Sequence, residues 1–302
     1  DVFETLIERL VERPGQLFLF LADPAREQLG GQVANFARAR LTAAEEAIAA
    51  GDMVGEEVTL RARYEAIGRA HGLTRDQVET LLARELDWER RLVRARPIGR
   101  AAFDRARAQG KRVVLVSDTY FEPDFVAELL RGCGYDGWDA LYCSSEHGVT
   151  KKSGKLFQHL LKTEGRRPTE ILHMGDNPRT DLRPGRDAGL GVFHMRSTAD
   201  IARRVSPLPA IWDRIADPKT AAAVKGLTGR RVAGGFRRGA PGFSQGSAET
   251  LGYAVLGPMF FGLANWLRRR ARADEVPDLL FLSRDGDIIK RCYDVIATLD
   301  PG

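Results

Sequence analysis

Residues 171–181 read ILHMGDNPRTD, an apolar run that ends on a Gly-Asp pair and is followed by a second aspartate, Asp181. The apolar run predicts a buried strand, and the turn residues after it predict the start of a helix. Open α/β folds build their sites at the edge where such parallel strands end. Carboxylates at that edge indicate metal or phosphate chemistry.

The residues around this segment alternate between strand and helix patterns. Strands are predicted at 111–116, 139–143, 171–174 and 191–195, and helices at 122–131, 153–164 and 180–188. Such alternation implies a parallel sheet with helices on both faces. We therefore expect an α/β fold with a Rossmann-like parallel sheet core.

The rest of the chain has a different pattern. Residues 6–100 have apolar side chains at helical spacing among many Ala, Arg and Glu, without strand-like alternation. Residues 197–249 are rich in Pro, Gly and Arg, with one helix expected near 217–225, and we interpret them as a connector. Residues 250–302 begin with an apolar helix and continue with DLLFLSRDGDIIK, a strand, turn and helix pattern that predicts the start of a second α/β region.

The composition is that of an ordinary globular protein. The 302 residues are 43% hydrophobic and 29% charged, enough for one large or two modest domains. No apolar run is long enough to span a membrane and the first residues lack a secretory layout, so we expect a cytoplasmic protein. The three cysteines have no paired spacing and favour neither a disulfide framework nor a zinc site.

The net charge of +5 is concentrated in residues 225–238, KGLTGRRVAGGFRR. A solvated linker is our main interpretation of this stretch. Contact with phosphate or nucleic acid is the alternative, but nearby aromatic residues are limited to Phe236 and Phe243. Nucleic acid is therefore not the expected partner.

Four strand ends carry residues suited to phosphate chemistry: Asp1 in DVFETL, Ser117 after VVLV, Lys151 in KKSGKLF, and Asp176 with Asp181. Their types and order resemble the haloacid dehalogenase superfamily. Its motifs are an Asp-x-x-x-Thr opening, a strand-end Ser or Thr, a Lys, and Gly-Asp-x-x-x-x-Asp. The resemblance covers residues 1–196. It implies a core of 1–5 and 101–196 with an inserted helical cap at 6–100.

The chain is similar, more closely, to a branch of predicted hydrolases found in bacterial surface-polysaccharide loci. The resemblance lies in Phe36, Arg40, Ala44 and Glu45 of the helical region, in SDTY at 117–120 and in FLSRDG at 281–286. This branch implies a sugar-linked phosphate as substrate. It also implies a glycosyltransferase or another polysaccharide-assembly protein as partner.

The resemblance implies a role for each motif residue. Asp1 would attack phosphorus and form an aspartyl-phosphate. Ser117, Asp118 and Lys151 would contact the substrate, with Lys151 neutralising developing charge.

The resemblance also implies a Mg²⁺ cofactor. Asp1, the backbone carbonyl of Phe3 and Asp176 would hold the ion through oxygen atoms. Asp181 would be a further ligand, or would orient Lys151 or a water on the ion.

Single members of the set also have structural explanations. Ser117, Asp176 and Asp181 are residue types that cap helices after a strand. His173 and His194 alternate within apolar strands and are expected in the core or behind the ligands. Helix capping does not explain why four strand ends carry these types in the family order.

The sequence departs from the family pattern at Phe3, where phosphatases have an aspartate that serves as general acid and base. Loss of such a group typically costs about 10²- to 10⁴-fold in rate. Glu4 is one residue further, and in an extended backbone it would face away from the site. A buried α-amino group on Asp1 would be costly, so we expect residues before Asp1 in the natural protein, and also beyond 302.

Our leading hypothesis is a Mg²⁺-dependent, phosphatase-like hydrolase that acts on a small phosphorylated metabolite. Dehalogenation is disfavoured, because that chemistry needs no metal and Asp176 favours one. The alternative is a non-catalytic module of a polysaccharide biosynthesis protein that binds a phosphorylated ligand or scaffolds a partner, with Phe3 marking lost turnover. Binding of nucleic acid through 225–238 is the weakest hypothesis.

Overall fold

The computed structural model describes residues 1–206, 208–235 and 248–299. The first third of the chain contains a short strand pair and five helices: β1 (Ile7–Arg9), α1 (Leu17–Leu29), α2 (Phe36–Ala49), α3 (Leu60–His71), α4 (Arg75–Leu92), β2 (Val93–Ala95) and α5 (Pro97–Ala108). The next part alternates: β3 (Val114–Ser117), α6 (Pro123–Gly132), β4 (Ala140–Cys143), α7 (Ser144–His147), α8 (Lys155–Glu164), β5 (Leu172–Gly175), α9 (Arg183–Asp187) and β6 (Gly191–His194). The described remainder is helical: α10 (Thr198–Val205), α11 (Leu208–Trp212), α12 (Pro218–Gly235), α13 (Ala248–Leu251), α14 (Gly257–Ala273) and α15 (Asp285–Leu299).

Two pairs of parallel strands confirm the predicted α/β fold class. β3 pairs with β4, with Ser117 opposite Cys143, and β5 pairs with β6, with Gly175 opposite His194. Within the described residues no common hydrogen-bond ladder joins the two pairs. The segment at Asp1 lies beside β5, because the backbone nitrogen of Asp1 donates to the carbonyl of Met174 at 2.8 Å. The carboxyl ends of the strands therefore meet near Asp1.

The helical region begins and ends in one antiparallel ribbon. Ile7 in β1 pairs with Ala95 in β2, and Arg9 pairs with Val93. The prediction that no strand interrupts 6–100 is therefore wrong for these six residues. All three β1 residues are buried, so the ribbon has none of the alternation by which a half-exposed strand is recognised.

A buried ion pair lies at the centre of the cap helices. The Arg40 guanidinium in α2 donates to both carboxylate oxygens of Glu85 in α4, at 2.6 and 2.7 Å. Tyr64 donates to the same carboxylate at 2.7 Å. The Arg40 guanidinium also lies 4.6 Å from the ring centre of Phe18 and 5.0 Å from that of Tyr120. Arg40, part of the branch resemblance, thus joins two cap helices to a core residue.

Residues 198–235 contain three helices, whereas the sequence predicted one short helix in this stretch. Helix α12 approaches β1 closely: a Cβ at Gly226 would lie 2.4 Å from the carbonyl oxygen of Leu10. Its Arg230 pairs with Glu8 at 3.0 Å. The interpretation as a solvated linker is therefore wrong for the described part of this stretch, 225–235, because α12 packs on the chain and its Arg230 is neutralised by Glu8. Residues 236–238 and Phe243 lie outside the described residues.

The C-terminal part also differs from the sequence prediction. The DLLFLS run is not a strand, and Leu280 and Leu282 are 89% and 81% exposed. A strand requires a partner for its backbone groups, and none of the described residues pairs with this run. Helices α14 and α15 pack together, with Arg268 donating to the carbonyl of Ile296 at 2.9 Å. None of the described helices has the length and apolarity needed to cross a bilayer.

The buried pair makes a stability prediction. Arg40→Leu leaves the fully buried Glu85 carboxylate without its cation, and we expect a loss of about 3–5 kcal/mol in the free energy of unfolding. The matched control is Arg61→Leu, which breaks the Arg61–Glu79 pair, whose side chains are 54% and 40% exposed. That change should leave the free energy of unfolding nearly unchanged, because solvent screens exposed pairs. Urea unfolding measures both, and equal losses would contradict the role given to Arg40.

Candidate active site

Asp1 is held in a tight turn at the edge of the sheet. The amide of Leu6 donates to the carbonyl of Val2 at 2.8 Å and closes the turn. The Thr5 hydroxyl donates to Asp1 Oδ2 at 2.9 Å. Lys151 Nζ donates to Asp1 Oδ1 at 2.6 Å. Both carboxylate oxygens of Asp1 are thereby fixed, so their direction is set before any ligand binds.

Lys151 connects two carboxylates that are far apart in sequence. Its ammonium lies 2.6 Å from Asp1 Oδ1 and 2.5 Å from Asp181 Oδ1, and the residue is buried. Its backbone amide donates to Asp118 Oδ1 at 2.6 Å, and that of Lys152 to Asp118 Oδ2 at 3.2 Å. Asp118 therefore holds the loop 148–154 that carries Lys151, called the lysine loop below. Its predicted contact with substrate stays a prediction.

Asp181 lies in a π-helical turn, Pro178–Leu182, that follows β5. The amide of Asn177 donates to its Oδ2 at 3.1 Å. The close packing requires Gly175, because a Cβ there would lie 2.4 Å from the Asp181 carboxyl carbon. This explains the glycine before Asp176 in the motif: a side chain at position 175 would occupy the place of the Asp181 carboxyl group.

His173 supports Asp181 from the core. Its Nε2 lies 2.9 Å from Asp181 Oδ1. Burial lowers the pKa of His173 to about 3, so the imidazole is neutral and its Nε2–H donates to the carboxylate. Burial alone would raise the pKa of Asp181, but the hydrogen bond from His173 and the charge of Lys151 hold that pKa below its usual range. Asp181 is therefore an anion that fixes Lys151.

Asp176 completes a cluster of oxygen ligands. Carboxylate oxygens of Asp1, Asp176 and Asp181 lie within 4.8 Å of one another. Burial and then the Asp181 charge raise the pKa of Asp176 to about 6. The backbone of Asp176 is held by His194, whose Nε2 lies 2.9 Å from its carbonyl oxygen. Three crowded carboxylates are a donor set that suits a hard divalent cation.

Ser117 is the last residue of β3, and its hydroxyl is free to donate a hydrogen bond to a ligand. The residue is 1% exposed, and its Oγ has no hydrogen-bond partner among the described residues. A buried hydroxyl without a partner costs about 1–3 kcal/mol. It lines the same cavity as Asp1 and Lys151, so an anion there could accept its hydrogen bond.

The backbone is not extended at Glu4, contrary to the basis of the sequence prediction. Its φ of 55° is in the left-handed region, and Glu4 lines the cavity together with Phe3 and Asp1. The expectation that Glu4 faces away from the site is therefore wrong. Burial raises the pKa of Glu4 to about 7. The Phe3 ring lies 4.6 Å from the Arg9 guanidinium, so it packs against the base of the cap.

The cavity has a volume of about 520 Å³ and a strongly acidic wall. Seven carboxylates and three cations line it: Asp1, Glu4, Glu12, Asp118, Asp176, Asp181 and Asp200, with Arg13, Lys151 and Arg203. The sequence motifs did not indicate the cavity residues that lie before α1 and within α10. Glu12 and Arg13 precede α1, while Asp200 and Arg203 belong to α10. No motif marks these four residues, and they reach the cavity only through the tertiary packing of the two segments.

Comparison with known proteins gives a family and several more distant likenesses. A model for haloacid dehalogenase-like hydrolases matches residues 1–189. The phosphoserine phosphatase of Thermus thermophilus is 31% identical over 146 residues, which are 48% of this chain and 56% of that protein. The chain thus matches only a little more than half the length of this relative.

Two solved structures resemble parts of the chain. The 2-haloacid dehalogenase of Pseudomonas syringae pv. tomato DC3000 gives a TM-score of 0.45 at 16% identity, covering 60% of this chain and 79% of that one. A dehalogenase with an intermediate complex gives 0.42 at 14% identity, covering 64% and 83%. Since the family model matches well over half of its residues, the chain belongs to the haloacid dehalogenase-like hydrolases.

Proposed function

We propose that the protein is a Mg²⁺-dependent hydrolase of small phosphorylated metabolites that works through an aspartyl-phosphate on Asp1. The observation that carries this proposal is the Asp1–Lys151–Asp181 arrangement beside the unpartnered Ser117 hydroxyl. It combines a fixed nucleophile, a buried cation and a hydroxyl donor in one cavity. The phosphoserine phosphatase relative supports a small phosphomonoester as substrate.

The residues present fit a divalent cation. The raised pKa of Asp176 reflects burial and crowding by Asp181, a cost that a cation between the carboxylates would remove. The acidic wall would also repel a phosphate unless a cation offset it. Asp1, Asp176 and the Phe3 carbonyl would hold Mg²⁺, with Asp181 as ligand or support. When bound, the ion supplies charge stabilisation at the phosphoryl oxygens.

The chain's own residues account for the two steps. A carboxylate oxygen of Asp1 attacks phosphorus while the bond from phosphorus to the leaving oxygen breaks. Water then attacks the aspartyl-phosphate, which frees the Asp1 carboxylate and releases phosphate, and the proton that the water loses replaces, through solvent, the one given to the leaving oxygen. The Ser117 hydroxyl donates to a phosphoryl oxygen, and the Lys151 ammonium offsets the charge that builds up there. Asp181 and His173 hold that ammonium in place.

The proton of the leaving group requires a further residue, because Phe3 cannot supply one. Glu4 lies on the cavity wall in the left-handed turn after Asp1, and Arg96 fixes that turn by donating to the Glu4 carbonyl at 2.6 Å. We assign the transfer of a proton to the leaving oxygen to the carboxyl group of Glu4. The sugar-linked substrate, the polysaccharide-assembly partner and the cytoplasmic location stay predictions from the sequence.

A phosphate-release panel tests the proposed function. The panel includes phosphoserine, sugar phosphates and acetyl phosphate with Mg²⁺, and halide release from 2-chloropropionate serves as the competing reaction. Asp1→Asn should lower kcat by about 10³-fold or more, because the nucleophile is lost. Asp176→Asn should weaken Mg²⁺ binding in calorimetry, and chelation should abolish turnover.

The matched control is Asp187→Asn in α9, whose side chain is 72% exposed and which should behave as wild type. Full activity of the Asp1 variant would exclude the mechanism. Mg²⁺-dependent binding of a phosphate mimic by a wild-type protein without turnover would instead support the non-catalytic alternative.

A leaving-group comparison tests Glu4. Glu4→Gln should lower kcat by about 10²-fold or more for phosphoserine, whose alkoxide needs a proton. For p-nitrophenyl phosphate the loss should be less than about 10-fold, because nitrophenolate leaves without one. Glu27→Gln on the exposed face of α1 is the control. A loss of the same size for both substrates would show that Glu4 does not transfer the proton.

A further inference from the structure

The cap touches the core at the loop that carries Lys151. A tight turn of the cap, 54–57, lies against Gly148, with the Glu56 amide donating to the Gly148 carbonyl at 2.8 Å. The two backbones approach so closely that a Cβ on Gly55 would lie 2.1 Å from the Gly148 oxygen. Side chains are thus excluded from the contact. The cap turn and the lysine loop meet backbone to backbone.

The Glu56 carboxylate reaches past this contact into the lysine loop. Its Oε2 accepts from the Thr150 amide at 3.1 Å, the Thr150 hydroxyl at 3.1 Å and the Ser153 hydroxyl at 2.6 Å. Its Oε1 pairs with the exposed Lys155. One carboxylate of the cap therefore receives three hydrogen bonds from the loop, besides an ion pair on the solvent side.

Three successive backbone amides of the lysine loop donate to carboxylates of the cap and of the core. Glu56 of the cap accepts from Thr150, while Asp118 of the core accepts from Lys151 and Lys152. Hydrogen bonds to carboxylates are stronger than those between neutral groups. The backbone around Lys151 is therefore held by two carboxylates, Glu56 of the cap and Asp118 of the core.

The neighbouring residue of the same cap turn holds the other side of the site. Glu57 Oε2 accepts from the Ser144 hydroxyl at 2.7 Å, and Ser144 Oγ in turn accepts from the Thr119 amide at 2.8 Å. Thr119 directly follows Asp118. The cap turn thus contacts the lysine loop through Glu56 and the Asp118 segment through Glu57.

We propose that Glu56 is a positioning residue, which holds Lys151 in its catalytic place only while the cap lies on the core. This inference rests on the proposed function for the role of Lys151, but its geometry does not require turnover. Movement of the cap away from the core removes the three hydrogen bonds to Thr150 and Ser153. The lysine loop then keeps only its contacts to Asp118, and the ammonium between Asp1 and Asp181 is less well placed.

Amide hydrogen exchange on the full chain tests the positioning role. In Glu56→Ala the amides of Lys151 and Lys152, which do not bond to Glu56, should exchange at least about 10-fold faster than in wild type. Glu56→Gln keeps an acceptor oxygen and should rescue the exchange rates to within about 2-fold. Lys155→Ala removes only the exposed ion pair and is the matched control.

Kinetics with acetyl phosphate separate positioning from substrate binding, because Glu56 does not line the cavity. Glu56→Ala should lower kcat by about 10-fold and leave KM within about 2-fold. The Glu56 side chain is 27% exposed, so the variant should fold, and its thermal midpoint checks this.

Two outcomes would overturn the inference. One is unchanged exchange at Lys151 and Lys152 in Glu56→Ala, and the other is an equal effect of Lys155→Ala. If wild type releases no phosphate, the proposed function fails, and the exchange rates alone decide the role of Glu56.

Discussion

The salt bridge of Lys151 to Asp1 and Asp181 is the interaction on which the site depends. It joins three segments that are distant in sequence, and its charged atoms lie 2.5 to 2.6 Å apart in a buried position. A buried ammonium is costly without partners, so the fold must bring both carboxylates to it. The supporting contacts serve this end: His173 and Asn177 orient Asp181, Thr5 orients Asp1, and Gly175 leaves room for the Asp181 carboxyl group.

The same arrangement determines what the cavity can bind. One ammonium does not balance the carboxylates of Asp1, Asp176 and Asp181, and burial together with the Asp181 charge raises the pKa of Asp176. If a cation binds these carboxylates, as proposed, its binding and the binding of an anion are thermodynamically coupled, because each would lower the electrostatic cost of the other.

The sequence predicted the parallel strands, because these depend on short-range patterns, and the structure brings the motif residues together, although their catalytic roles stay predictions. Strand β5 and the Gly-Asp pair after it can be read directly from 171–181, and the order of the motifs placed Asp1 and Lys151 together. Glu4 could not be predicted, because its left-handed backbone arises from the turn after Asp1. The helices between 198 and 235 were also underestimated, since short helices depend on tertiary packing, and the packing of α12 against the chain at Leu10 is not visible in the sequence.

The β1–β2 ribbon has a consequence for how the chain reaches its native state. Before Asp1 can lie near Ser117, the intervening chain must lose the entropy of a long loop. Once Ile7 and Ala95 are paired, the path between Asp1 and Ser117 runs through the ribbon and is several-fold shorter. Because the entropic cost of loop closure grows with the logarithm of loop length, the shorter path lowers that cost by about 1 kcal/mol. The helical region can therefore vary in length at little entropic expense to the assembly of the strand ends.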